Sequence, residues 1–415
     1  MKITLLLVHL LISPILIAQN LDSWLQQNIV PISTCKPNND FEDLKQLTKY
    51  LNNAQIIGLG ETSHGQGSFF EMKHRFFRFS VQELGYHIFA LEAGFAECLK
   101  INDYVLNGNG EAISALKYLN YGVWEIQELK DLIEYMRQYN LSHNNKVKFY
   151  GFDCQMATGA IDYIFGIKDK INYTPTQSDE QLLANLKLLQ KTRASDDAKL
   201  LQPLLTILIE KLNKLIEQSS LIDHTEKIKA RIICRTLAQF CENEINNNNE
   251  TRAKFMAENV KHIVDLEGEN SKIILSAHNG HIYKDPAAKE FGYYLNQLFA
   301  NKYYAIGFEF NKGKIQGFDF IDDKLMWKEY DLQAAAPKSL GDVLLKGNKD
   351  FLFLDLYQAQ SNNTLPKWFY KKQKCGDILG CYGQKGCNKR YWHIVLSKSY
   401  DAILFIKATE RANKI

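Results

Sequence analysis

The sequence predicts an α/β protein: a mostly parallel core sheet flanked by helices, with a helical insertion and a smaller C-terminal mixed α/β unit. Three observations predict it. Apolar runs at 54–61, 86–94 and 146–153 each close on glycines and an acid. Amphipathic stretches separate these runs, and such alternation of strand and helix builds an open parallel sheet. Between residues 175 and 250 the apolar residues recur only at helical spacing, which marks an inserted helical segment.

Taken in order, residues 1–18 read as a signal peptide: Met1 and Lys2, then an apolar run from Ile3 to Ile17 ending at Ala18. A spanning helix needs about twenty apolar residues. Residues 19–174 form the first part of the α/β core, opening with an amphipathic lead-in and a Pro-Asn loop at KPNND. AQIIGLGE (54–61) is a strand covered on both faces, because an unbroken apolar run bounded by turn residues suits a buried parallel strand. SFFEMKHRFFRFSVQELG (68–85) is a helix that stops at Gly85, and YHIFALEAG (86–94) is the next strand. Two helical stretches follow, INDYVLNG and GVWEIQELKDLIEYMRQYN, then the strand KVKFYGFD (146–153).

In the insertion, residues 175–250, one stripe is Leu182, Leu183, Leu186 and Leu189, a second is Leu201, Leu204, Leu205, Leu208 and Leu212, and Ile228 to Cys241 supply a third. Residues 251–312 return to the core with the helix TRAKFMAENVKHIVDL and the strand and loop SKIILSAHNGHI (271–282). YYAIGFEF (303–310) and KIQGFDF (314–320) read as a hairpin about NKGK. Residues 313–415 form the smaller mixed region, with a Cys-rich loop and a return to the core through FLFLDL (351–356) and DAILFIKA (401–408).

Lys and Arg number 50 against 47 Asp and Glu, and the basic residues are scattered rather than gathered in a stripe, which argues against a nucleic-acid partner. No second apolar segment reaches spanning length, so no stable membrane partner is expected, and the signal peptide places the chain in the periplasm or outside the cell. Eight cysteines in 415 residues are not a disulfide scaffold. Cys98, Cys154, Cys234 and Cys241 lie in apolar or helical contexts and read as buried thiols. Cys375, Cys381 and Cys387 punctuate a Gly-rich loop, where one pair can close a bridge and the third can pair with Cys35.

The chemistry-bearing residues cluster at strand ends. In GLGETSHG, Gly58 and Gly60 let the backbone turn and set Glu61 and His64 three residues apart, close enough for a carboxylate to orient an imidazole base. Glu92 and Asp153 end the next two apolar strands, and His278 and His281 follow a fourth. A parallel sheet gathers these residues at one edge, where such sheets bind ligands. Asp153, His281 and Trp124 are candidates for binding substrate. No GxSxG elbow is present and no cysteine has a base beside it, which disfavours serine and thiol hydrolases.

The combination GLGETSHG, FFEMKHRFFRF, FALEAGFAE, FYGFDCQ, RAKFMAENV, LSAHNGHI and YAIGFEF resembles the erythromycin esterase family, with the motifs in the family's order from about residue 30 to 408. The resemblance implies hydrolysis of a small-molecule ester or lactone, a macrolide lactone in the best-understood members, by water activated by histidine. It makes His64 the general base, assisted by Glu61, with Glu92 the second acid and His278 the histidine of the later motif. Lys73 stands where the resistance enzymes can carry an arginine, and Ser68 replaces the usual acid before the paired phenylalanines. In this reading Lys73 or His278 faces the oxyanion. No cofactor is expected; the alternative is a metal-dependent hydrolase with His64, His278 and His281 as ligands, and a further one is an exported ligand-binding or carbohydrate-assembly protein without turnover. Resistance by detoxification, a response to an antibiotic, is often intracellular, which the export signal argues against.

Overall fold

The structure is a computed structural model that describes residues 21–321, 324–378, 383–388 and 390–415. The signal-peptide residues and Cys381 lie outside the described residues. Eleven strands are seen among the described ones: β1 (Ile29–Ile32), β2 (Ile56–Leu59), β3 (Ile88–Gly94), β4 (Lys148–Asp153), β5 (Ile273–Ser276), β6 (Tyr303–Ile321), β7 (Lys324–Leu332), β8 (Phe351–Asp355), β9 (Lys372–Gly376), β10 (Tyr391–Val395) and β11 (Ala402–Thr409).

Nine of them make one sheet in the order β1-β8-β11-β6-β2-β5-β3-β4, with β7 paired to β6. From β11 to β4 every neighbouring pair is parallel. β8 joins β11, and β1 joins β8, antiparallel. The mostly parallel core is therefore present as the apolar runs predict. β1 falls in the stretch read as an amphipathic lead-in; four residues interrupted by Pro31 carry too little pattern to announce a strand, and an edge position tolerates the missing N–H.

Both faces of the sheet are covered. Ile57, Leu59, Phe89, Leu91 and Phe149 share one apolar core with the helices Gly67–Glu83 and Gln127–Ser142. The alternate positions Ile56, Ile88, Ala90, Tyr150 and Phe152 share the other with Leu186, Leu208, Leu237 and Val260. Those last residues come from four helices, Gln177–Thr192, Ser195–Gln218, His224–Asn246 and Asn249–Glu267. The leucine stripes are thus the inner faces of a layer on the sheet, except that Leu204, read as part of the second stripe, is half exposed because it lies one position off the buried 201, 205, 208 and 212 row. No helix among the described residues is long and apolar enough to cross a membrane.

Three readings are corrected. The segment 303–321 is one continuous strand, not a hairpin about NKGK; Lys312 and Gly313 continue the parallel ladder with β11, and the hairpin partner is β7. The long helix begins at Gln127 rather than Gly122, because Gly122–Trp124 is a separate 3-10 turn, and a further helix, Ala112–Tyr118, precedes it. Cys35 is a free buried thiol whose Sγ donates to Glu71, so it does not bridge to the Cys-rich loop. In that loop Cys387 is disulfide-bonded and Cys375 is free. β9 and β10 form a separate two-stranded antiparallel sheet near the C-terminus.

Candidate active site

β2, β5, β3 and β4 are consecutive neighbours, all parallel, so their carboxyl ends open on one edge. Glu61 and His64 follow β2, His278 and His281 follow β5, Glu92 lies in β3 and Asp153 ends β4. The strand order, which crosses the chain order, is what makes these distant segments meet.

The loop after β2 is held from behind. Gly60 N–H donates to the Ile306 carbonyl at 2.9 Å, and Asn279 N–H donates to the Glu61 carbonyl at 2.8 Å. The Asn279 amide is itself fixed on Phe308, donating to its carbonyl at 2.7 Å and accepting from its N–H at 2.9 Å. A Cβ on Gly60 would sit 2.0 Å from Asn279 Oδ1. Close approach of the two loops is therefore what demands glycine here, rather than the tight turn expected from sequence; neither Gly58 nor Gly60 has a positive φ.

Held in this way, Glu61 is fully buried, and its Oε1 lies 2.5 Å from His64 Nδ1. Its Oε2 takes the Lys73 ammonium, which also donates to Ser276 Oγ at 2.9 Å. Burial opposes charge on Glu61, but Lys73 and His64 outweigh it and hold the carboxyl below its ordinary range. Burial also pushes the Lys73 ammonium down, against the pull of Glu61. A carboxylate accepting from Nδ1–H selects the tautomer with its lone pair on Nε2. That nitrogen has no protein hydrogen bond among the described residues, and the His64 side chain is 14% exposed. The His64 ring packs edge-on against Trp124, centroids 4.7 Å apart.

Beside this pair lies a second charged group. His278 N–H donates to Glu92 Oε2 at 2.9 Å, and Arg252 donates to Glu92 Oε1 at 3.0 Å. Arg252 also grips Asp153 through two bonds, at 3.0 and 2.7 Å. His281 Nε2 stands 3.2 Å from Glu92 Oε1 and its Nδ1 3.5 Å from Glu290. Burial disfavours the His281 cation, but Glu92 and Glu290 outweigh it and raise its pKa to about 9. Burial likewise opposes charge on Glu92, yet His281 and Arg252 hold that carboxyl well below the usual range. His278 is fixed at both nitrogens: Nδ1 accepts from Gly280 N–H at 3.1 Å, and Nε2 lies 3.0 Å from Asp377 Oδ1 and 3.3 Å from the Thr62 carbonyl. Two acceptors at Nε2 put the proton there.

All eight residues singled out from sequence, Glu61, His64, Lys73, Glu92, Trp124, Asp153, His278 and His281, lie in this cluster. Sequence reasoning missed Arg252, Glu290, Ser276 and Asp377. Arg252 sits within the quoted RAKFMAENV, but a basic residue in a helix's first turn carries no sign that it will meet two acids. Asp377 arrives from the loop after β9, with no motif around it. Ser68, in the place of the family's usual acid, accepts from Glu410 N–H at 2.8 Å and faces the C-terminal backbone. The His64 and His278 rings are 6.0 Å apart and those of His278 and His281 6.3 Å. Among the described residues no group of three His, Cys, Asp or Glu is placed to hold a metal ion, so the ligand set His64, His278 and His281 is not formed. Glu92, Leu119, Tyr121, Trp124, Asp153 and Arg252 line a narrow cleft at this edge.

A parallel sheet that gathers carboxylate, imidazole and guanidinium groups at its carboxyl edge places the chain among α/β proteins with a candidate site at that edge. It belongs to the erythromycin esterase family, whose profile matches residues 81–409. That match takes in Glu92, Asp153, Arg252, His278, His281 and Asp377, and begins after Glu61, His64 and Lys73. The chain is 27% identical over 295 residues to an erythromycin esterase type II from Escherichia coli, covering 64% of this chain and 69% of that protein. It is 22% identical to the putative hydrolase YbfO of Bacillus subtilis (strain 168), over 93% of this chain and 90% of that protein. Among solved structures, a Bacillus cereus protein superposes with a TM-score of 0.74 at 24% identity, covering 95% of this chain and 98% of that one. A histidine-to-asparagine mutant of the erythromycin esterase EreC in its open conformation gives a TM-score of 0.67 at 18% identity, covering 93% and 98%. These superpositions establish a shared fold.

Proposed function

We propose that the chain hydrolyses a carboxylic ester or lactone of a small molecule, outside the cytoplasm, with water activated by His64. The observation that carries this reading is the Glu61–His64 contact of 2.5 Å, made by a part-exposed imidazole to a fully buried carboxylate. His64 Nε2 takes a proton from water as the water oxygen adds to the carbonyl carbon, and returns it to the departing alkoxide when the tetrahedral intermediate collapses. Lys73, sealed behind Glu61 and 1% exposed, acts as a positioning residue in this scheme rather than facing the oxyanion. His278, with both nitrogens engaged, does the same. The oxyanion then falls to the Arg252 guanidinium, which Glu92 and Asp153 hold in place through Nε and Nη2.

Mass spectrometry of a panel from simple lactones to macrolides tests this, with and without chelator. A chelator-resistant gain of one water that is abolished in folded His64→Ala supports the reading. Turnover of a panel member at the wild-type rate by that variant overturns it.

A further inference from the structure

The motif YAIGFEF places an acid, Glu309, inside β6, a strand whose side chains take no part in the chemistry proposed above. Glu309 is 3% exposed, and among the described residues no cation forms an ion pair with it. Its carboxyl is met instead by two backbone N–H groups: Oε1 accepts from Phe310 at 2.9 Å and Oε2 from Gly376 at 2.7 Å. Burial pushes its pKa up to about 7, against the pull of those N–H groups and of Arg390. An acid buried without a paired cation is costly, and packing alone would put an apolar residue here; the bond to Gly376 is what the carboxyl provides.

Gly376 ends β9 and opens a short strap that crosses to the site. Three successive N–H groups fix it: Gly376 donates to Glu309, Asp377 to the Arg390 carbonyl at 2.7 Å, and Ile378 to the Thr62 carbonyl at 2.7 Å. Asp377 thereby brings Oδ1 to 3.0 Å from His278 Nε2, and His278 in turn donates its backbone N–H to Glu92, which holds Arg252. Ile378 ties down the loop that carries His64. The strap thus reaches both histidine loops, and of its three acceptors only Glu309 is a side chain. Gly376 has no positive φ, so its backbone suits any residue; a Cβ there would sit 2.5 Å from Glu309 Oε1. Glycine is required by the closeness of this one contact.

We infer that Glu309 is a positioning residue for the hydrolytic site: by anchoring Gly376 it aims Asp377 at His278 and fixes the orientation of the His278 ring. The kinetic consequence rests on the hydrolytic reading above; the placement of His278 does not.

Three variants of the whole chain test it. Gly376→Ala and Glu309→Met break the contact from its two sides, and Glu309→Gln keeps an oxygen for the Gly376 N–H. Each is followed by the ¹H and ¹⁵N signals of the His278 imidazole, with Asp377→Ala as the reference for a released ring, and by kcat and KM on the ester that the panel identifies. In Gly376→Ala and Glu309→Met the His278 signals move toward those of Asp377→Ala, and kcat falls about 10- to 100-fold with KM within about twofold. Glu309→Gln stays within about threefold of wild type, and adding Asp377→Ala to Gly376→Ala costs nothing further, because both act through one contact. Gly376→Ala leaves the buried strand untouched and carries the test where Glu309→Met does not fold. His278 signals unmoved in Gly376→Ala, a loss in Glu309→Gln as large as in Glu309→Met, or losses that multiply in the double variant each overturn the inference. A wild type that hydrolyses no panel member sinks the hydrolytic reading alone, and the His278 signals then decide the role of Glu309.

Discussion

Removing the ammonium that backs Glu61 has a consequence that can be worked from the structure. Lys73→Met keeps an unbranched side chain of similar length, so the packing loss is small. What changes is charge: Glu61 is 0% exposed and Lys73 1%, and after the substitution the carboxylate keeps only His64. Stripping one partner from a buried ion pair costs about 3–5 kcal/mol, and the lost hydrogen bond to Ser276 is contained within that range. The depressed carboxyl of Glu61 contributes stability above its unfolded value, and that contribution is lost as pH falls through the folded value. Without Lys73 burial dominates, the folded value rises, and the acid limb of any His64-dependent activity moves to higher pH. Urea unfolding at neutral pH measures the loss, and Glu61→Gln in the same chain recovers most of it by removing the stranded charge. A Lys73→Met protein within about 1 kcal/mol of wild type, the range of an exposed pair, refutes the reasoning.

Other outcomes follow from the same contacts. His64→Ala stays folded and loses about 10²–10⁴ in kcat on the substrate the panel identifies; an unchanged unfolding curve separates this from misfolding. Asp377→Ala releases one acceptor from His278 Nε2 and lowers kcat by about 10- to 100-fold with little change in KM, since a small misplacement is enough. Arg252→Met strips Asp153 of its cation and leaves Glu92 with His281 alone, and destabilises by about 3–5 kcal/mol, read from urea midpoints. His281, raised to about 9, contributes stability that is complete below its unfolded value and lost as pH rises through about 9; the gap between wild type and His281→Ala narrows by up to about 3 kcal/mol across pH 6.5 to 9. A gap that stays constant over that window contradicts the ion pair with Glu92.

The sequence by itself determined the layer architecture and the identity of eight residues in the candidate site. The run IIGL, apolar at every position, and IFALEAG, apolar but for Glu92, call for cover on both faces, and β2 and β3 are buried throughout. The leucine stripes of 182–189 and 201–212, Leu204 excepted, are the inner faces of packed helices. Acids and histidines just past such strands announced themselves because isolated charge beside an apolar run is costly unless the sheet edge receives it. Other features were decided by tertiary structure alone. Whether 303–321 folds back at NKGK or runs on depended on β11 lying alongside, since the turn residues are compatible with either. Gly60 is needed because Asn279, over two hundred positions away, occupies the space of its Cβ. Lys73 is sealed against Glu61, Arg252 joins two acids, and Asp377 reaches His278 from the loop after β9. Hydrophobic periodicity is local and survives in the chain as written; the partner of a buried charge is set by which segments the sheet order makes neighbours, and that order is fixed only when the whole core packs.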